Sequence, residues 1–442
     1  MQKVDLTQGN VLSVLVALAL PVIGGSLLQF GYSLIDMLWV GGLGTDAVAS
    51  VGSSSFFIGL GYAINALVVV GGGIKISHKI GSGDEQEAKA YTNASLILNT
   101  VLATLYFLFV FIFNKSLIGF LNLDNIEVAN ASSVFLRWSA GSMFFIFYNT
   151  LFARILSSYG NTRAVFRISA VGAILNIILD PILIYTLNMG VSGAAIATLI
   201  ANVIVFIIYL INGWALVGYN KSVAVKKEHI MEICRLGFPM AFQRVLFTLI
   251  NILLARIIAM FGSEAIAAQK IGLQIESVML MIVGGLNGAM TSFTGQNFGA
   301  KQLDRMHKGY KVAITMGVAY AICMGGLFWL IPNQLAGLFV DDLLTISITA
   351  GYLRVIGCTL MFAATEMISN GFFSGLGLPK VSATISICFT LMRIPLAMLL
   401  IGSFDVYGVW ISIAITSALK GVAAMSYYIF KVRRSEIYAT QN

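Results

Sequence analysis

Residues 176–185 read NIILDPILIY: an aspartate, Asp180, inside a run that otherwise has the composition of membrane filling. A carboxylate is tolerated there only where its helix face meets protein or water rather than lipid. The chain around it is of the same kind. Of 442 residues, 58% are hydrophobic and 10% charged, against roughly 25% charged in soluble domains. The mean hydropathy is +0.89. Apolar stretches of about 20 residues, the length of one bilayer-crossing helix, recur from end to end. A backbone in hydrocarbon must satisfy its own polar groups, so only helices or closed barrels cross it. These stretches are too long and too evenly apolar for barrel strands. The expected fold class is an all-α polytopic membrane protein.

Twelve spans can be drawn, near 13–40, 50–74, 91–113, 132–157, 165–187 and 192–215, then 232–260, 269–294, 310–331, 345–374, 381–402 and 408–430. Most of the 27 lysines and arginines then fall on one side, among them Lys75, Lys79, Lys89, Arg154, Arg163, Arg167, Lys226, Lys227, Lys301, Arg305 and Lys308. The other side keeps Lys115 and Lys270, with the acids Asp46, Glu127, Glu264, Asp341, Asp342 and Asp405. The positive-inside rule places the basic side, and both termini, in the cytoplasm. That bias accounts for the net charge of +8 and removes any reason to invoke nucleic acid. The polar opening MQKVDLTQGN and the length of the apolar segment behind it argue against a cleavable signal. Cys234, Cys323, Cys358 and Cys388 have no metal spacing and read as packing residues.

The two halves repeat. LALP at 18–21 matches LGFP at 236–239, GTDAVA at 44–49 matches GSEAIA at 262–267, and Gly81 matches Gly299 at the same offset. Six spans per half keep the halves in one orientation, related by an axis along the membrane normal. In proteins built of such repeats, substrate sites commonly lie at the repeat interface. The expected organisation is an N-lobe at 1–215, a linker at 216–231, a C-lobe at 232–431 and a tail at 432–442.

Intramembrane charges are few: Asp36, Asp180, Glu276, Glu366, Arg137, Arg244, Arg256, Arg354, Arg393 and Lys420. The repeat breaks at the aspartates, since Asp36 lands on Leu254 and Asp180 on Ala397. Asn176 and Asp180 share one helix face at i,i+4, as do Tyr32 and Asp36. Thr198, on the inward-running sixth span, reaches their level. These oxygens suit a hard cation such as Na⁺. Alternatively, two close carboxylates hold a proton between them and act as a proton carrier. A plain structural aspartate bonded to a neighbour is the competing reading, and two at one depth with amide and hydroxyl company weaken it. For Glu276, Glu366, Arg354, Arg393 and Lys420 the balance lies the other way, towards internal ion pairing over substrate contact. Pro21, Pro181, Pro239 and Pro395 mark expected bends, and Pro181 frees a carbonyl one turn earlier.

YSLIDMLWVGGLGTDAVASVG, NIILDPILIY, GVSGAAIAT and GLNGAMTSFTGQNFGAK together resemble the multidrug and toxic compound extrusion (MATE) transporters, over nearly the whole chain. The resemblance implies two six-helix lobes related by pseudo-two-fold symmetry, V-shaped around a central cavity. It implies export of amphipathic, cationic compounds by a monomer in the inner membrane, driven by entry of Na⁺ or H⁺, with no cofactor. It assigns the cation or proton site to Asp36, Asn176, Asp180, Thr198 and the Ala194 carbonyl. Tyr32, Asn149, Gln243, Glu276, Glu366 and Arg393 are then candidates to line the substrate cavity. A branch that binds its cation through acids of the seventh and tenth spans is not matched, because Gln243 and Ala363 stand there. A flippase for polyprenyl-linked sugars or lipids shares this architecture, and Arg244, Arg256 and Arg393 keep it open. An intramembrane aspartyl protease would also use two aspartates, but the flanking SLI and IIL lack its context.

Overall fold

Helices account for almost everything in the computed structural model, which describes residues 5–121, 123 and 125–433 and has no strand among them. The first half runs α1 (Val11–Gly41), α2 (Thr45–Gly81), α3 (Glu85–Gly119), α4 (Ile126–Ser158), α5 (Thr162–Pro181) and α6 (Gly190–Val217). The second runs α7 (Lys227–Ala259), α8 (Ser263–Gly299), α9 (Leu303–Leu330), a short α10 (Pro332–Gly337), α11 (Leu343–Gly357), α12 (Leu360–Gly375), α13 (Pro379–Leu391), α14 (Arg393–Phe404) and α15 (Val406–Tyr427). The part of the expected tail beyond Arg433 lies outside the described residues.

Ten spans among the described residues are long and apolar enough to cross a membrane, and the α11–α12 pair, bent by 55°, makes up to eleven. The twelfth expected span, α4, falls short on polarity rather than length. Its serines, Asn149 and Arg154 are accommodated because α2, α3, α5 and α6 pack around it. Ser50 Oγ and Ser54 Oγ of α2 donate to the Val128 and Ser132 carbonyls of α4, at 3.2 and 3.0 Å. Asn65 Nδ2 of α2 donates to Asn99 Oδ1 of α3 at 2.9 Å. Interhelical hydrogen bonds of this sort hold helices together where lipid offers no hydrophobic drive.

The prolines act unequally. Pro21 and Pro239 sit inside continuous helices. Pro395 cannot donate to the Leu391 carbonyl, and the chain breaks there, between α13 and α14. After Pro181 the helix widens into a π turn over Ile182–Thr186, a distortion that recurs at functional sites. Outside the spans, Asp342 caps α11 by accepting from the Thr345 hydroxyl and N–H at 2.7 and 2.8 Å. Those bonds hold its carboxyl below the usual range.

The chain separates into two compact units that interleave in sequence. One takes in the residues up to Gln8, Ala17–Ala241 and Gly295–Lys301; the other takes Gly9–Val16, Phe242–Thr294 and Gln302 onward. The starts of α1, α7 and the end of α8 thus do not follow the halves of the repeat. In the first unit, Phe152 stacks on Phe206 and meets Tyr209, joining α4 to α6. In the second, Tyr310, Phe372 and Tyr428 form a cluster joining α9, α12 and the π turn that follows α15.

Inside the first unit, the beginning of α7 and the end of α8 are sealed onto α2 by glycines. A Cβ on Gly71 would fall inside the Ile233 carbonyl, and one on Gly237 inside the Leu67 carbonyl. Likewise Gly81 abuts the Gln296 carbonyl and Gly299 the His78 carbonyl. Each crossing is reciprocal, with each glycine facing a carbonyl one turn before the other. Only glycine lets backbones approach so closely. Charge reinforces the seal: Lys75 Nζ lies 2.7 Å from Glu232 Oε2, Tyr91 OH donates to the same oxygen, and His229 Nε2 is 3.3 Å from Glu87. Leu6, fully buried, donates its N–H to Gln296 Oε1 at 3.1 Å, while Gln296 Nε2 donates to the Ser158 carbonyl at 2.7 Å.

Candidate functional site

Three helices of the first unit bring the predicted oxygens together. Asp36 and Tyr32 project from α1, Asn176 and Asp180 from α5, and Thr198 from α6. Helical spacing puts Asn176 one turn before Asp180, and its Nδ2 donates to Asp180 Oδ1 and to Thr198 Oγ1, both at 3.4 Å. Thr198 Oγ1 in turn donates to the Ala194 carbonyl at 3.0 Å, so that carbonyl already carries a side-chain hydrogen bond. The carboxyls of Asp36 and Asp180 face each other across the α1–α5 contact. Asp180 is fully buried.

This cluster is short of donors. Asp36 Oδ1, Asn176 Oδ1 and Asp180 Oδ2 are buried oxygens with no hydrogen-bond partner among the described residues. A buried acceptor left unmet costs about 1–3 kcal/mol, and more when charged. Three together make a donor set consisting of oxygen alone, which fits a hard cation or a shared proton.

A cavity of ≈ 720 Å³ within the same unit opens beside the cluster, lined by Tyr32, Asp36, Asn176 and Thr198. Asn149 also lines it, and its Nδ2 donates to Asn202. Asp180 and Ala194 are not on the lining, so they stand behind it. Arg154 is on the lining too; sequence reading filed it with the positive-inside residues.

The remaining candidates, Gln243, Glu276, Glu366 and Arg393, belong to the second unit. Tyr352 OH donates to Glu276, and Ser386 Oγ and Asn370 Nδ2 donate to Glu366. Arg393 Nε donates to Thr416 Oγ1 at 3.1 Å, and its guanidinium lies 5.7 Å from the Phe247 ring centre. Glu276 and Glu366 both lie within electrostatic reach of Arg393, and Glu366 also of Lys420. This group holds two acids and two bases, whereas the Asp36–Asp180 pair has no basic partner among the described residues.

Comparison with known proteins bears on the fold and the family. The MatE family profile matches residues 21–182 and 239–399, one match in each half. A protein of Shewanella oneidensis described as an FAD transporter is 26% identical over 94% of this chain and 93% of its own length. The multidrug export protein MepA of Staphylococcus aureus is 28% identical over 92% and 91%. The solved structure of a MOP superfamily transporter from Pyrococcus furiosus has the same fold, with a TM-score of 0.92 at 24% identity over 98% of both chains. A multi-pass helical bundle with a matching profile in each half leaves one assignment: the chain belongs to the MatE family and is a membrane transporter, not an enzyme.

Proposed function

We propose that this chain exports amphipathic, cationic compounds by antiport against Na⁺ or H⁺, through alternating access. The three donorless oxygens of Asp36, Asn176 and Asp180 at the wall of a cavity carry this reading. Membership of a family containing named multidrug exporters supports it. Asp36, Asp180, Asn176 and Thr198 would hold the ion, with Ala194 fixing the Thr198 hydroxyl; Tyr32 and Asn149 would meet the substrate. Gln243, Glu276, Glu366 and Arg393 would contribute from the second unit. The basic end, with both termini, faces the cytoplasm of a cell whose inner membrane holds the protein as a monomer. Residues 1–215 and 232–431 act as lobes joined by 216–231, so the glycine seal on α2 closes the cytoplasmic side.

Coupling follows from differential affinity. An ion that binds one packing of α1, α5 and α6 better than the other shifts the protein towards it, and substrate selects the alternative. Full exchange between the two requires roughly a 10⁴-fold preference, which charged ligands in a low-dielectric site can supply.

Ethidium efflux from proteoliposomes, with a Na⁺ gradient and a pH gradient imposed separately, tests this. At least one gradient is expected to drive the dye. If neither does, antiport of cationic drugs is excluded and a lipid-linked substrate takes its place.

A further inference from the structure

One cavity group has no part in the ion chemistry. Arg154 lies at the end of the cavity opposite Asp36. It is one turn from Ser157, where the α4 lining ends, and beside the start of α5, where Val165 and Phe166 line the wall. Along α4 the lining runs from Phe135 to Ser157, or about 33 Å at 1.5 Å per residue, so the chamber is long and its two charged ends are far apart.

The arginine is held in place. Its side chain lies directly over Gly73, the third of three consecutive glycines in α2, where any Cβ would overlap Nε. Its neighbours in the triplet face other helices, Gly71 towards α7 and Gly72 towards Ser95 of α3. Gly73 is thus the trough that admits the arginine. Arg154 Nε is buried and has no acceptor, and no carboxylate among the described residues pairs with the guanidinium. Basic residues that only set topology extend their heads to the interface. A guanidinium half-buried without a partner is costly, and its planar fork matches the oxygens of phosphate or carboxylate.

We propose that Arg154 anchors an oxyanion, phosphate or carboxylate, borne by an amphipathic molecule in this cavity. The transporter then takes anionic or dipolar compounds as well as cations. This rests on the reading of the cavity as a substrate chamber. Thr150, Arg154 and Ser157 follow one another along one face of α4 and all line the cavity, so the residues one turn before and after the arginine on this wall carry hydroxyls.

The test compares binding of flavin mononucleotide and riboflavin, which differ by one phosphate, to the purified full chain by fluorescence. No gradient is involved, so failure of ion-driven export would leave this result standing. Flavin mononucleotide is expected to bind roughly tenfold tighter or more, the effect of one charge-assisted pair. Arg154→Gln is expected to erase the preference and Arg154→Lys to keep part of it. If the glutamine variant does not fold, Gly73→Ala serves instead, displacing the guanidinium with its charge intact and lowering the preference. Displacement of flavin mononucleotide by phosphatidylglycerol, but not phosphatidylcholine, assigns the oxyanion to lipid; no displacement assigns it to the soluble compound. Equal affinities, undetectable binding of flavin mononucleotide, or a preference that survives both Arg154→Gln and Gly73→Ala overturns the proposal.

Discussion

Asp180→Asn abolishes ion-driven export and leaves the protein at least as stable as before. The two halves of that expectation have one cause. Asp180 is fully buried, receives a single long bond from Asn176 and has one oxygen without a donor. A structural carboxylate would be wrapped in donors, so this one contributes little to the fold. Its charge costs about 2.5–3.5 kcal/mol at bilayer depth, and an amide of the same shape escapes that. What the amide loses is one charged ligand, worth about 1.5–3 kcal/mol. Affinity for the coupling ion should therefore fall between roughly tenfold and a hundredfold, with export driven by either gradient dropping to leak. Asp36→Asn should behave alike. Thermal unfolding in ion-free buffer and ²²Na⁺ binding separate the outcomes: a lower melting temperature in Asp180→Asn would make the aspartate a structural partner.

Gly237→Ala is expected to open the glycine seal on α2, proposed above to close the cytoplasmic side. The new methyl group meets the Leu67 carbonyl, a backbone atom that cannot rotate aside, so α7 must move off α2. Overpacking of this kind costs about 1–3 kcal/mol, which raises the open population by roughly 5- to 150-fold. A cysteine at Ile233, fully buried in the closed seal, reports it. In a background without the four native cysteines, its alkylation from the cytoplasmic side should accelerate correspondingly. Gly31→Ala, where nothing lies within 4 Å of the new atom, should leave the rate unchanged. Equal rates in Gly237→Ala and the parent would remove the seal from the account.

Much of this arrangement is legible before any coordinates. Apolar runs near 20 residues mark the spans, and i,i+4 spacing puts Asn176 and Asp180 on one face, because lipid and helix period constrain both strictly. The pairing of Gly81 with Gly299 is also readable as a repeat, though not as a contact. What stays hidden depends on distant parts of the chain. Arg154 differs from Arg163 and Arg167 only in lying over Gly73, 81 positions earlier. Glu232 gains its role from Lys75 and Tyr91, the latter 141 positions away. Gln296 stands in the quoted motif, yet its partners are Leu6 and Ser158. The bend between α11 and α12 has no proline to announce it; Gly357 there lies against Gly325.

The central claim is that an ion entering through Asp36 and Asp180 moves the substrate out. Its most direct test records ethidium efflux and ion entry together in the same proteoliposomes, with a pH-sensitive dye or ²²Na⁺ as the ion probe. Ion movement opposite to ethidium, in fixed proportion, is expected, with loss of both together in the Asp36→Asn, Asp180→Asn double variant. Ethidium leaving with no counter-moving ion, or leaving undiminished from the double variant, would contradict it.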